Sequence, residues 1–158
     1  MITLILCALG LTALTVIMHG LGTAVCYRRT TALWSARKDC IGRLGVELLL
    51  ARFVGTLLLL HLAEAIVWAL FLVLVGALPD LETAAYFSLT SYTTVGYGDV
   101  TLPERWRLLG PIEAAVGILM LGWSTGILVA AIGALYRPRL ASGDSFERTS
   151  SSDTELRL

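Results

Sequence analysis

The chain has 158 residues, of which 56% are hydrophobic and 15% are charged, and its mean hydropathy is +0.78. Soluble domains carry about 25% charged residues, so this composition argues against a water-soluble globular domain. The formal net charge is zero, and no segment has the basic composition typical of a nucleic-acid-binding surface. These values predict an all-α integral membrane protein whose surroundings are lipid rather than nucleic acid.

Three stretches are apolar enough to cross a bilayer, which takes about 20 residues. They cover residues 2–27, 46–78 and 111–136. The first has no basic residue before its apolar run, and it is longer than the apolar core of a signal peptide. We therefore expect it to be a membrane-spanning helix rather than a cleaved leader.

Basic residues follow the first and the third spans. They are Arg28, Arg29, Arg37, Lys38 and Arg43 after the first, and Arg137 and Arg139 after the third. Cytoplasmic loops carry an excess of lysine and arginine, so both clusters predict an N-terminus outside the cell and a C-terminus in the cytoplasm. The prevalence of arginine among the basic residues hints at a bacterial protein in the plasma membrane.

A short amphipathic segment, 80–92, lies between the second and third spans. Asp80 is a favourable N-cap, and about a dozen residues give roughly 18 Å of helix. This length predicts a re-entrant helix that enters the membrane without crossing it. The negative end of its dipole would favour a cation beyond its carboxyl end.

The residues directly after this helix are Thr94-Val95-Gly96-Tyr97-Gly98, and Asp99 follows them. Glycine at every second position permits backbone angles closed to other residues, so successive carbonyl groups can face one axis. Such a row of oxygens can replace the water around a cation inside a membrane, and the Thr94 hydroxyl adds one more oxygen.

Residues 94–98 match the signature selectivity filter of potassium channels, and residues 83–126 resemble the pore domain of that family. Tyr86 and Phe87 resemble its aromatic pair on the pore helix, whereas Ser91 stands where the family more often has threonine. The resemblance implies a homotetramer. It also implies K⁺ bound by the carbonyls of residues 94–97, a ring of Asp99 carboxylates at the outer mouth, and no cofactor besides the permeant ion.

Two sequence motifs after the filter concern the start of the next helix. Thr101-Leu102-Pro103-Glu104 has the sequence of a capping box, which predicts a helix from near Pro103. Gly110-Pro111 is expected to bend or restart that helix before the third span. In the third span, Gly117 and Gly122 are candidates for a gating hinge, with close helix packing as the alternative.

Three ionisable residues lie inside predicted spans. His61 and Glu64 are three residues apart near the middle of the second span, and Glu113 is early in the third. Ionisable groups at that depth are costly and often functional. For His61 and Glu64 the alternatives are a structural hydrogen bond, either within the pair or from Glu64 to a polar group on the pore helix, and a pH-sensitive gate. For Glu113 they are support of the filter from behind and a favourable interaction with the helix dipole.

The sequence thus predicts three parts: a first helix and basic loop at 1–45, a pore domain at 46–136, and a disordered cytoplasmic tail at 137–158. The predicted function is passive, potassium-selective conduction rather than catalysis. The alternatives are a cation channel without strict selectivity and a non-conducting subunit of another transporter. An intramembrane enzyme using His61 and Glu64 lacks a nearby nucleophile.

Overall fold

The computed structural model describes residues 1–37 and 42–155, without the side chains of residue 43 and of residues 137–155. Over these ranges it contains four helices and no strand: α1 (Ile2–Arg37), α2 (Arg43–Leu74), α3 (Leu81–Tyr92) and α4 (Leu109–Glu155). The segments Ile2–Arg37, Leu44–Leu74 and Leu109–Tyr136 are long and apolar enough to span a membrane. The predicted all-α membrane fold is confirmed.

Helix α1 buries one narrow face along its whole length. The buried positions recur every three or four residues, the spacing of a single helical face, and they are Leu4, Ala8, Leu11, Thr15, His19, Thr23, Cys26, Thr30 and Trp34. Much of this face is polar, whereas Ile5, Leu9 and Ile17 on other faces are exposed. The polar side of α1 therefore faces protein and its apolar side is left for lipid.

Three clusters of buried side chains show how the helices run. Leu4 and Leu11 share a cluster with Leu72 and Met120, and Cys26 shares one with residues from the middle of α2. At the other end, Trp34 packs with Val46 and Leu135. Helix α1 is therefore antiparallel to α2 and parallel to α4, and it contacts both along their length.

A tight turn and a capped start place α3 between α2 and α4. Gly76 has a φ of +66°, and the amide of Ala77 donates to the carbonyl of Leu72 at 2.9 Å, which closes the end of α2. Asp80 then accepts from the amide of Thr83 at 2.8 Å. This hydrogen bond lowers the pKa of Asp80 and confirms the predicted N-cap.

The helix predicted from near Pro103 is wrong. Residues 104–108 form successive turns, in which the Trp106 amide donates to the Pro103 carbonyl at 2.8 Å and the Leu109 amide donates to the Trp106 carbonyl at 2.9 Å. Leu102 and Trp106 are both buried, so the segment follows the core surface instead of starting a helix. Helix α4 begins at Leu109, with Pro111 in its first turn, where the missing N–H is tolerated.

The C-terminal segment continues α4, whose backbone is helical to Glu155. The predicted disorder of the tail at 137–158 stays a prediction. A preformed helix can be extended at the gain of one hydrogen bond per residue, without a new nucleation cost. Residues 156–158 lie outside the described residues.

Candidate functional site

The predicted filter leaves the carboxyl end of α3 with an unusual backbone. Thr94, Gly96 and Gly98 have φ angles of +64°, +52° and +79°, whereas Val95 and Tyr97 between them do not have positive φ. Elsewhere in the described residues only Gly76 has a positive φ. The alternation extends one position beyond the two glycines, to Thr94, which is uncommon for a residue with a Cβ atom.

Hydrogen bonds to α3 fix the direction of the filter peptides. The Thr94 amide donates to the Ser91 carbonyl at 2.8 Å, and the Gly96 amide donates to the Thr90 carbonyl at 3.0 Å. No peptide bond in the described residues is cis, and in a trans peptide the N–H and C=O point in opposite directions. Because the Gly96 N–H points toward α3, the Val95 carbonyl points away from it.

Residues 93–99 are all exposed in the single chain. The exposed fraction is 52% for Val95 and 71% for Tyr97, although both residues are hydrophobic. A lone filter strand inside a membrane would leave its carbonyls without partners, which the bilayer does not tolerate. The exposed side of the filter is therefore suited to face other chains and an ion.

Asp99 lies beyond the filter and is tied to α3. The Tyr86 hydroxyl donates to the Asp99 carboxylate at 2.7 Å, and this hydrogen bond is the main cause that lowers the pKa of Asp99. Both residues are outside the buried core. Asp99 is thus held as a charged, solvent-accessible carboxylate next to the filter.

Comparison with known families agrees with this geometry. Residues 56–134, half of the chain, match the family described as ion channel. The chain belongs to this ion channel family. The matched range runs from the middle of α2 through α3 and the filter into α4, in agreement with the predicted potassium-channel pore domain. No curated protein and no solved structure gives a significant match.

In the channel, Gly117 packs against the end of α3. A Cβ atom at this position would lie 1.9 Å from the carbonyl oxygen of Tyr92 and 2.8 Å from its carbonyl carbon. A Cβ atom at Gly122 would meet nothing within 4 Å in the chain. Close packing is therefore the role that the geometry gives to Gly117, and the predicted hinge at Gly117 and Gly122 stays a prediction.

Glu64 is fully buried and makes hydrogen bonds with side chains of two other helices. His19 on α1 contacts it through Nδ1 at 2.9 Å, and the hydroxyl of Tyr92 on α3 donates to its other oxygen. His61 lies one turn before Glu64 on α2, with Nδ1 at 3.5 Å from the carboxylate. The predicted pair of His61 and Glu64 is present, but the stronger contacts of Glu64 are to residues outside α2.

His61 and Ser124 complete a closed set of contacts. His61 reaches the Tyr92 hydroxyl with Nδ1 at 3.2 Å and the Ser124 hydroxyl with Nε2 at 3.0 Å. Ser124, on α4, is also 3.3 Å from Nε2 of His19. We call His19, His61, Glu64, Tyr92 and Ser124 the polar ring. It joins all four helices, and Tyr92 is two residues before Thr94.

Two imidazoles and a carboxylate can in principle bind a transition-metal ion, and candidate atoms of His19, His61 and Glu64 lie within 4.8 Å of one another. Here, however, these side chains already have protein partners at hydrogen-bond distance. A divalent ion with one carboxylate would also leave net positive charge in a buried site, which is costly. The contacts fit a hydrogen-bonded cluster better than a metal centre.

Glu113 is fully buried near the start of α4. Neither its carboxyl oxygens nor the buried Ser88 hydroxyl on α3 has a hydrogen-bond partner among the described residues. Its predicted role in supporting the filter stays a prediction. A carboxyl group at this depth without a partner carries less cost when it is protonated.

The sequence reasoning missed His19, Tyr92 and Ser124. A signal for His19 was present, because Thr15, His19, Thr23 and Thr30 recur at helical spacing within an otherwise apolar span. Polar groups of this kind in a membrane helix usually face protein. A polar group on the pore helix was one of the partners considered for Glu64, but nothing singled out Tyr92 or Ser124, since single hydroxyl groups are common in membrane helices.

Proposed function

We propose that the channel conducts K⁺ selectively and passively through a filter formed by residues 94–98. The observation that carries the proposal is the alternation of positive φ along this segment, together with the Val95 carbonyl directed away from α3. In this mechanism a dehydrating ion exchanges water for the carbonyl oxygens of residues 94–97. Neighbouring ions repel one another, so each site binds weakly enough for the ion to leave.

We infer that four identical chains form the pore. One strand cannot surround an ion, and a closed ring of identical subunits satisfies every filter strand in the same way. The exposed hydrophobic residues of the filter, Val95 and Tyr97, support packing against neighbouring chains. The basic clusters support a cytoplasmic C-terminus, with the filter near the outer face of a bacterial plasma membrane.

The test of conduction is potassium efflux from liposomes that contain only this purified chain. We expect efflux that a potassium gradient alone can drive, without an energy source. A non-conducting subunit of another transporter would give no efflux above that of empty liposomes, and that result would overturn the proposal. Native mass measurement of the same preparation should show four copies.

The hydrogen bond between Tyr86 and Asp99 predicts a pH effect at the outer mouth. Because this bond lowers the pKa of Asp99, the carboxylate stays charged until the external pH falls through that lowered value. A charged outer mouth concentrates cations, so K⁺ current should fall on protonation. In Tyr86→Phe the donor is lost and the pKa of Asp99 rises, so the current should fall at a higher external pH.

The measurement is channel current against external pH at constant internal pH. Asp99→Asn is the matched control, since its side chain is similar in size but does not titrate, and it should lack this acid step. The same midpoint in the wild type and in Tyr86→Phe would show that the Tyr86 hydrogen bond does not control the charge of Asp99.

A further inference from the structure

The polar ring has a fixed requirement for protons. Its contacts are His19 with Glu64, His19 with Ser124, Ser124 with His61, His61 with Tyr92, and Tyr92 with Glu64. Each of these five contacts needs one proton between its two heavy atoms to be a hydrogen bond. Without a proton, two lone pairs face each other.

The side chains supply four of these protons when Glu64 is ionised and both imidazoles are neutral. Serine, tyrosine and each neutral histidine carry one proton, and a carboxylate carries none. One contact is then left without a hydrogen bond, and a buried site retains a net negative charge. Both features are unfavourable in a low-dielectric environment.

One additional proton completes the ring. If it is on Glu64, the carboxyl donates to His19, and each following group donates to the next around the ring until Tyr92 donates back to Glu64. If it is on His19 or His61, the imidazolium donates from both nitrogens, and the remaining contacts are again satisfied. In each case the ring is neutral overall. A second additional proton would leave net positive charge and would displace the Ser124 proton from the ring.

We propose that the polar ring is a binding site for one exchangeable proton, and that loss of this proton loosens the contacts of α1 and the filter-bearing α3 with α2, which reduces conduction. The link to the filter is Tyr92, which continues through Thr93 into Thr94. The proposed effect on conduction rests on the proposed channel function, whereas the proton-binding step does not.

The titratable groups on each packed element are accounted for. Helix α1 contributes His19, α2 contributes His61 and Glu64, and α3 contributes Tyr92, which acts as a hydrogen-bond donor. On α4 the ionisable residue that faces this region is Glu113, which interacts electrostatically with Tyr92 but makes no hydrogen bond to the ring among the described residues. Within the described residues the ion-pair partners of Glu64 are the two histidines.

Glu64→Gln provides a direct test. The amide of glutamine supplies an N–H toward His19 and an oxygen toward Tyr92, so it reproduces the protonated carboxyl but cannot lose its proton. As the pH is raised above neutrality, we expect the flux of the wild type to fall by about threefold. Its melting temperature should fall by several degrees over the same range. Glu64→Gln should assemble at neutral pH and should show neither alkaline change.

Thr15→Val is the matched control. It removes another buried hydrogen bond between α1 and α2, in which Trp68 Nε1 donates to Thr15 Oγ1 at 3.0 Å, but it removes no titratable group. It should keep the wild-type dependence on pH even if its overall stability is lower. A flat profile in this control would mean that general loosening of α1 removes the pH effect.

Several outcomes would overturn the proposal. They are an unchanged alkaline profile in Glu64→Gln, a flat wild-type profile, and failure of Glu64→Gln to assemble at neutral pH. The thermal stability of the protein in detergent can be measured whether or not the protein conducts ions. If thermal stability depends on pH as expected but neither the wild type nor any variant conducts, proton binding is supported and the proposed channel function fails. If the chain conducts but its thermal stability does not depend on pH, the channel function stands and the proposed proton binding is refuted.

Discussion

Gly96→Ala is expected to abolish most of the potassium flux of the channel. Gly96 has a φ of +52° and its amide donates to Thr90, so the conformation that turns the Val95 carbonyl away from α3 depends on this residue. For a residue with a Cβ atom, the left-handed conformation costs about 1–2 kcal/mol. A penalty of about 1.4 kcal/mol is a factor of ten in an equilibrium, and it recurs in every chain of the ring.

The measurement is the initial rate of potassium efflux from liposomes at equal protein content, with an expected decrease of at least about tenfold. Gly10→Ala is the matched control. Gly10 is in the N-terminal third of α1, and a Cβ atom there would meet nothing within 4 Å, so the flux of Gly10→Ala should equal that of the wild type. Wild-type flux from Gly96→Ala would show that the conformation of residue 96 does not shape the conduction path.

Gly117→Ala is expected to destabilise the whole channel rather than change its gating. The added Cβ atom would lie 1.9 Å from the Tyr92 carbonyl oxygen, and a backbone atom cannot rotate away as a side chain can. Overpacking of this kind typically costs about 1–3 kcal/mol. Because Tyr92 is the last residue of α3, relief of the clash would displace the pore helix and the start of the filter.

The corresponding measurement is the thermal stability of the purified channel and the fraction that elutes as the assembled form. Gly122→Ala, whose Cβ atom would meet nothing within 4 Å in the chain, should not lower stability, because alanine favours a helix interior over glycine by about 0.5–1 kcal/mol. A different result is expected if Gly117 is a hinge. Gly117→Ala would then be as stable as the wild type and would differ only in the fraction of time that it is open.

The sequence predicted the features that depend on local chemistry. The three spans follow from hydropathy, and the start of α3 follows from Asp80, whose carboxylate caps the helix as expected. Positive φ at Gly96 and Gly98 was implied by the spacing of the glycines. The left-handed conformation of Thr94 was not implied, because it depends on how the whole loop is held against α3.

Features that depend on contacts between distant segments were not predictable. The capping-box sequence at Thr101 suggested a helix, but burial of Leu102 and Trp106 outweighed this local preference. Likewise, the spacing of His61 and Glu64 showed that they share a helical face, but not that His19 and Tyr92 lie opposite them. These partners are 45 and 28 residues from Glu64, and single-sequence patterns carry no information on such pairs.

The most direct test of potassium-selective conduction is the reversal potential of currents from the purified chain alone, with potassium on one side of a bilayer and sodium on the other. If the carbonyl oxygens of residues 94–97 replace the hydration shell of potassium, the reversal potential should lie close to the potassium equilibrium potential. A reversal potential near zero under these conditions would mean equal permeability to the two ions, and it would contradict the account.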